Sequence, residues 1–221
     1  MNAAALLHLL QFASPALPIG GYSYSQGLEA AIEQGLVTDA SSARAWIADY
    51  LQHVMATWDA PLLWRLMEAF SCADQDAVAL WSERFIASRD TFELRAESIQ
   101  MGYSLVRLIA ELGVADVAML GDEVALPTAF ACAVAGLGIA PADALLAWLF
   151  GWAENQVLVC VKSIPLGQVA GQRLLLSLCP DLEQAAALAR SLADEDLSNW
   201  APGLSMLSMQ HEVQHGRLYR S

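Results

Sequence analysis

Positive charge is scarce in this chain. It holds 11 basic residues against 24 acidic ones, and Lys162 is the single lysine. The net charge of −13 makes nucleic acid and anionic membrane surfaces poor partners. Catalytic signatures are missing as well. There is no Gly-x-Ser-x-Gly elbow and no Gly-x4-Gly-Lys-Ser/Thr phosphate loop, and Gly20-Gly21 has no lysine nearby. With only His8, His53, His211 and His215 available, a histidine-based triad has few candidates. Cys72, Cys132, Cys160 and Cys179 are far apart, form no CxxC and sit in apolar contexts. They read as reduced core thiols, not as a disulfide frame or zinc site. No cofactor is expected. The N-terminus lacks a basic n-region and a cleavage site, so the expectation is a cytoplasmic protein without a signal peptide.

Apolar residues are abundant. They make up 56% of the chain, charged residues only 16%, and mean hydropathy is +0.40. A long uncharged run, Val124 to Ala142, is nominally long enough to span a bilayer. Pro127, Gly136, Gly138 and Pro141 interrupt it, so two packed helices joined at Gly136-Leu137-Gly138 explain it better. The apolar surplus is then assigned to a large core and to surfaces covered by partners.

Strand patterning is almost absent, and helical periodicity recurs instead. Helices are expected at Ala3–Phe12, at Ser23–Gln34 and from a Thr38 cap through Trp46, Ile47, Tyr50, Leu51 and Val54. Asp59-Ala60-Pro61 resembles a capped start, which by itself explains Asp59. Asp74 opens the next helix, with Val78, Trp81 and Phe85 inward. Thr91 to Leu112 is the best-defined long helix, with Ile99, Gly102, Tyr103, Val106, Ile109 and Ala110 as its stripe. After a loop around Gly121-Asp122-Glu123 come helices at Thr128–Leu137 and from Pro141 to about Val161. Another begins at Pro165, with Gly167 and Gly171 spaced for close helix contact, and a further one spans Asp181–Leu192. The fold class is therefore all-α, a single-domain bundle of about ten helices. Residues 1–193 form the helical domain, and 194–221 a polar, loosely attached or partner-dependent tail. The tryptophans read as core, with Trp200 in the tail as the exception.

Three segments are more specific. Ser14 to Glu29, SPALPIGGYSYSQGLE, combines two φ-fixing prolines with a Gly pair, then displays Tyr22 and Tyr24 beside a helix start. Ser23 and Gln26 have capping-box spacing. Lys162-Ser-Ile-Pro-Leu-Gly-Gln168 places the lone lysine near a helix end, where it could equally complement the helix dipole. His211-Glu212-x-x-x-Gly216-Arg217-Leu218-Tyr219-Arg220-Ser221 sets an aromatic residue between arginines, a frequent interface anchor. In this order and separation the segments resemble those of the urease accessory protein UreF family. Tyr219 stands where that family usually has Phe. Glu93, Arg95, Glu97, Ser98 and Gly102 resemble a further, less specific stretch of the same family.

The resemblance implies an all-helical, commonly dimeric protein that is not an enzyme. It implies work beside UreD (also called UreH) and the GTPase UreG in delivering nickel to apo-urease. Carried over by motif position, the partner-binding candidates are Pro18, Tyr22, Tyr24, Glu29, Lys162, His211, Glu212, Arg217 and Tyr219. Arg217 and Tyr219 are assigned to tail docking, and the first segment with Lys162 to a shared face. One alternative of another class stays open. His211-Glu212-Val213-Gln214-His215 matches the HExxH of zinc hydrolases, with His211 and His215 as metal ligands if they share a helix face. Against it, only six residues follow His215 to supply a third ligand.

Overall fold

Side-chain caps start several helices where the spacing predicts them. Asn2 accepts from the Ala5 amide at the head of α1 (Ala3–Phe12). Asp74 does so from Ala77 at the head of α5 (Gln75–Ala87), and Thr91 from Leu94 at the head of α6 (Phe92–Leu112). Each satisfies an amide that has no partner inside its own helix. The computed structural model describes residues 2–118, 120–121 and 123–221; Asp122, in the expected 121–123 loop, lies outside the described residues. The remaining helices are α2 (Leu28–Glu33), α3 (Ala40–Tyr50), α4 (Ala60–Ser71), α7 (Leu126–Gly136), α8 (Pro141–Ser163), α9 (Gln168–Ser191) and α10 (Pro202–Glu212). Among the described residues there is no strand, and the architecture is the expected all-α single-domain bundle.

α4 is the hub. Its Leu62, Leu63, Leu66 and Met67 are completely buried, and the helix touches α5, α7, α8 and α9. The Val124–Ala142 run is indeed two helices, with the chain turning between α7 and α8. α8 is long and apolar enough to cross a membrane by length and composition, but it packs along α9, α4 and α2. Gly171 makes the α8–α9 approach possible: a Cβ there would lie 2.6 Å from Val161 Cγ2. Gly167, expected to share that role, has open space around it and precedes the helix.

Several local expectations are corrected. The Ser23–Gln26 capping box does not form; α2 starts at Leu28, and only a 3-10 turn spans Gly21–Ser23. Asp39 caps α3 in place of Thr38, reciprocally with Ser42. Asp59 caps nothing, because the chain runs without a break through a π-helical stretch (Leu51–Asp59) into α4. Its carboxylate instead pairs with Arg89 at 2.6 Å, with both side chains about nine-tenths buried. α9 is one helix through Pro180, whose missing amide costs a bond. Leu178 and Leu182 on either side are buried, and their packing offsets that loss. The buried stripe of α6 is Leu94, Glu97, Ser98, Met101, Gly102, Leu105 and Ile109, so Gly102 and Ile109 lie inward as expected; Tyr103 is exposed. Two polar residues inside that stripe hid its true register. Cys132 and Cys160 are buried, but Cys72 is exposed.

Candidate functional site

The three specific segments meet in one seam. The 14–29 loop turns tightly, with Gln26 at φ +55° and Gly27 at φ +82°, and this strand of chain presents its backbone to the C-terminal residues. The Ser25 and Gln26 amides donate to the Ser221 carbonyl oxygen at 2.6 and 3.1 Å. The Arg220 amide donates to the Ser23 oxygen at 2.8 Å. Ser25 and Ser221 are both buried. Two consecutive amides on one oxygen form a geometry suited to gripping it.

Glu29 lies at the centre. It comes from the first turn of α2, and its carboxylate accepts from the Leu218 and Tyr219 amides at 2.7 and 3.0 Å. It also faces His211 Nε2 at 3.0 Å. On the other side of the ring, His211 Nδ1 lies 2.7 Å from Glu93, at the start of α6. His211 thus bridges two glutamate carboxyl groups, one at each ring nitrogen. Arg217 bonds the other oxygen of Glu93. Glu29, Glu93, His211 and Arg217 thus form one chain of polar contacts, with Glu29 and His211 enclosed and Arg217 at its exposed end. Glu212 accepts from the Glu93 amide at 3.2 Å, at the positive end of α6.

A second polar cluster lies below Ser221. Its hydroxyl bonds Glu97, which also accepts from Gln26 Nε2 at 2.5 Å. Gln26 Oε1 in turn accepts from Trp152 Nε1 at 2.8 Å, and Asn155 on α8 donates to the Tyr24 oxygen at 2.8 Å. Burial pushes the Glu97 carboxyl up to about 7, against the bonds from Gln26 and Ser221 that favour its charged form. Tyr24 is buried and donates to Gln100 at 2.8 Å, and burial raises its phenol above the usual range. Tyr219 is buried too, with Lys162 Nζ 5.9 Å from its ring centre. Lys162 lies in the last turn of α8, so it both complements that helix end and covers the tail.

The sequence-selected residues therefore divide. Tyr24, Glu29, His211 and Tyr219 are buried and hold the C-terminal segment to its own chain. Pro18, Tyr22, Lys162 and Arg217 remain exposed around them, and Glu212 is half-buried. The expected display of both tyrosines holds for Tyr22, 60% exposed, and not for Tyr24, 4% exposed. The HExxH reading fails on geometry. α10 ends at Glu212, so His215 is not one helical turn above His211. Both His211 ring nitrogens are engaged by carboxylates, and no group of three metal-ligating side chains occurs among the described residues. Residues 194–221 pack on α2 and α6 through α10. Sequence reasoning passed over Ser25 and misassigned Gln26. Glu93 and Glu97, four apart in the first turns after the Thr91 cap, were the available signal.

Fold and seam define a class: an all-helical protein whose chemistry-bearing side chains bind its own C-terminal segment. The comparisons are narrower. The UreF family model matches residues 37–179. The urease accessory protein UreF of Janthinobacterium sp. (strain Marseille) is 63% identical over 226 residues, covering 100% of both chains. That of Nitrosospira multiformis is 56% identical, covering 98% of each, and that of Delftia acidovorans is 52% identical over 98% of this chain. The chain belongs to the UreF family of urease accessory proteins. The matched span 37–179 omits the loop and the tail, but the full-length relatives include both.

Proposed function

We propose that this chain is a non-catalytic, cytoplasmic adaptor of urease maturation, acting as a homodimer. It bridges UreD/UreH and the GTPase UreG and modulates GTP-dependent nickel delivery to apo-urease, with nickel as cargo. One observation carries the reading: the tail, the 14–29 loop and the Lys162 helix end form one continuous seam, beside which Tyr22, Lys162, Arg217 and Leu218 are exposed. Such a set offers an aromatic, an aliphatic and two cationic groups on a rigid backing, a composition that favours protein contacts. Buried Tyr24, Glu29, His211 and Tyr219 act indirectly in this reading, by holding the tail in the shape that a partner meets.

The decisive experiment is reconstitution of urease from purified components with nickel and GTP. Omitting this protein is expected to abolish GTP-dependent activation; equal activation without it would refute the assignment. Arg217→Ala is expected to reduce co-purification with UreD and UreG by about tenfold, the scale of one interface arginine. Unchanged co-purification would remove Arg217 from the docking face.

A further inference from the structure

Helix α10 is apolar on two opposite faces. Leu204, Leu207, Ser208 and His211 turn inward onto α2 and α6, where Gly27 leaves room for Leu204. Pro202, Met206, Met209 and Val213, spaced four, three and four apart, fall on the outward side. At about 100° per residue they lie opposite the inward set. Met206 is 61% exposed, Met209 51% and Val213 76%. Trp200, 81% exposed, stands at the head of this stripe. Its backbone is anchored: the Ser198 amide donates to the Thr57 oxygen at 3.1 Å, and Asn199 Nδ2 donates to the Ser88 oxygen at 2.9 Å. A tryptophan held outward on a fixed backbone, followed by two adaptable methionines, has the composition of an interface hot spot.

The border of the stripe tells what covers it. On one edge Ser205 donates to Asp90 Oδ2 at 2.6 Å. On the other edge Gln210 is bonded to Gln34, beside exposed Glu33 at the end of α2. Neither Asp90 nor Glu33 has a cationic partner among the described residues. No lysine or arginine occurs from Pro202 to Val213, and Arg217 is held on the inward side by Glu93 and the His211 oxygen. The other exposed apolar faces lack this sign. α1, with Leu6, Leu7 and Leu10, carries no charged residue. α6, with Phe92 and Tyr103, is flanked by the internal pairs Arg95–Glu123 and Arg107–Glu111. A second copy of the chain, or an anionic lipid surface, would bring negative charge against negative charge at α10. A basic partner meets the border with opposite sign.

We propose that the outward face of α10, together with Trp200, is a docking surface for a basic amphipathic helix of a partner protein. The apolar side of that helix covers Met206, Met209 and Val213, and its lysines or arginines face Asp90 and Glu33. This surface is additional to the one built on Tyr22, Lys162 and Arg217. Its test contains no urease component, so it stands or falls apart from the adaptor reading.

The probe is the amidated peptide LKKLLKLLKKLLKL, with a control in which glutamate replaces every lysine. Methionine-methyl ¹³C spectra of the full-length protein follow Met206 and Met209, with buried Met55, Met67 and Met101 as internal references. The basic peptide is expected to shift Met206 and Met209 saturably, with a dissociation constant on the order of 10–100 μM, and the acidic control to leave them in place. Met206→Ser combined with Met209→Ser is expected to weaken the basic peptide about tenfold or more. Glu33→Gln combined with Asp90→Asn, which keeps an acceptor for Ser205, is expected to weaken it about threefold. All four side chains are exposed, so melting temperatures should not change. Four results would overturn the proposal. They are equal binding of the two peptides, unaltered affinity in the double serine variant, no saturable shift at Met206 and Met209, and shifts there on dilution of the protein alone, which would give the face to a second copy.

Discussion

The bundle core and the tail seam are both buried, but they are built on opposite principles. Around α4 the core consists of Leu62, Leu63, Leu66 and Met67 against apolar neighbours, with almost no directional bonds between side chains. In the seam, Glu29, Glu93, Glu97, His211 and Ser221 are bound by hydrogen bonds and charge, with Leu207 and Tyr219 supplying the apolar contact to the bundle. Hydrophobic packing is strong and tolerant of direction. A paired charge network gives little net stability, yet losing one partner leaves the others stranded. The core therefore determines whether the chain folds. The seam determines where its last residues lie, and its opening is expected to leave the rest folded.

That contrast can be broken most forcefully in the core. Leu63→Ala is expected to lower global unfolding free energy by about 2–5 kcal/mol. Urea denaturation monitors it, and the seam should be lost in the same transition. Next in size, Glu29→Ala removes the acceptor for the Leu218 and Tyr219 amides and for His211. Hydrogen exchange in residues 213–221 should accelerate by about a hundredfold, the scale of a stranded buried charge and amides. Interior amides of α8 should keep their protection; parallel loss there would make core and seam a single unit.

A pH test is subtler. Glu97 has a pKa raised to about 7 from a model-peptide value of 4.5. Between those values the folded chain binds more protons than the unfolded one, so this group's contribution falls as pH rises. The loss starts above the unfolded value and is complete above about pH 7–8. Glu97→Gln, which keeps an acceptor for Gln26 and offers a donor to Ser221, should reduce the fall in urea midpoint from pH 5 to pH 8. An unaltered fall would assign the pH dependence elsewhere. The smallest effect is expected at Lys162→Met. An exposed cation–π contact contributes about 0.5–1 kcal/mol, so exchange at Tyr219 should quicken about two- to fivefold without a change in melting temperature.

Much of the bundle was legible from pattern. Thr91 and Asp74 are caps whose effect is local, and the Gly136–Pro141 break needs only nearby backbone sterics. Misreadings arose where a distant group outweighed local preference. Ser23 and Gln26 have capping spacing, but Gln26 bonds Glu97 and Trp152, and that pair pulls its backbone into the left-handed region. Asp59 has a cap's sequence context, but Arg89, thirty residues away, offers a charge partner in a buried place. Glu97 and Ser98 look like a solvated face until the tail and α8 cover them.

Local sequence by itself determined the helical class, most helix starts and the three segments that mark the family, because capping, periodicity and proline or glycine sterics act within a few residues. Only the tertiary structure decided that those segments are one seam. It also decided that Tyr24 and Tyr219 are buried and that His211 is held between two carboxylates. The physical reason is range: a buried charge takes its meaning from partners that share its enclosure, and enclosure is created only when remote helices close over it.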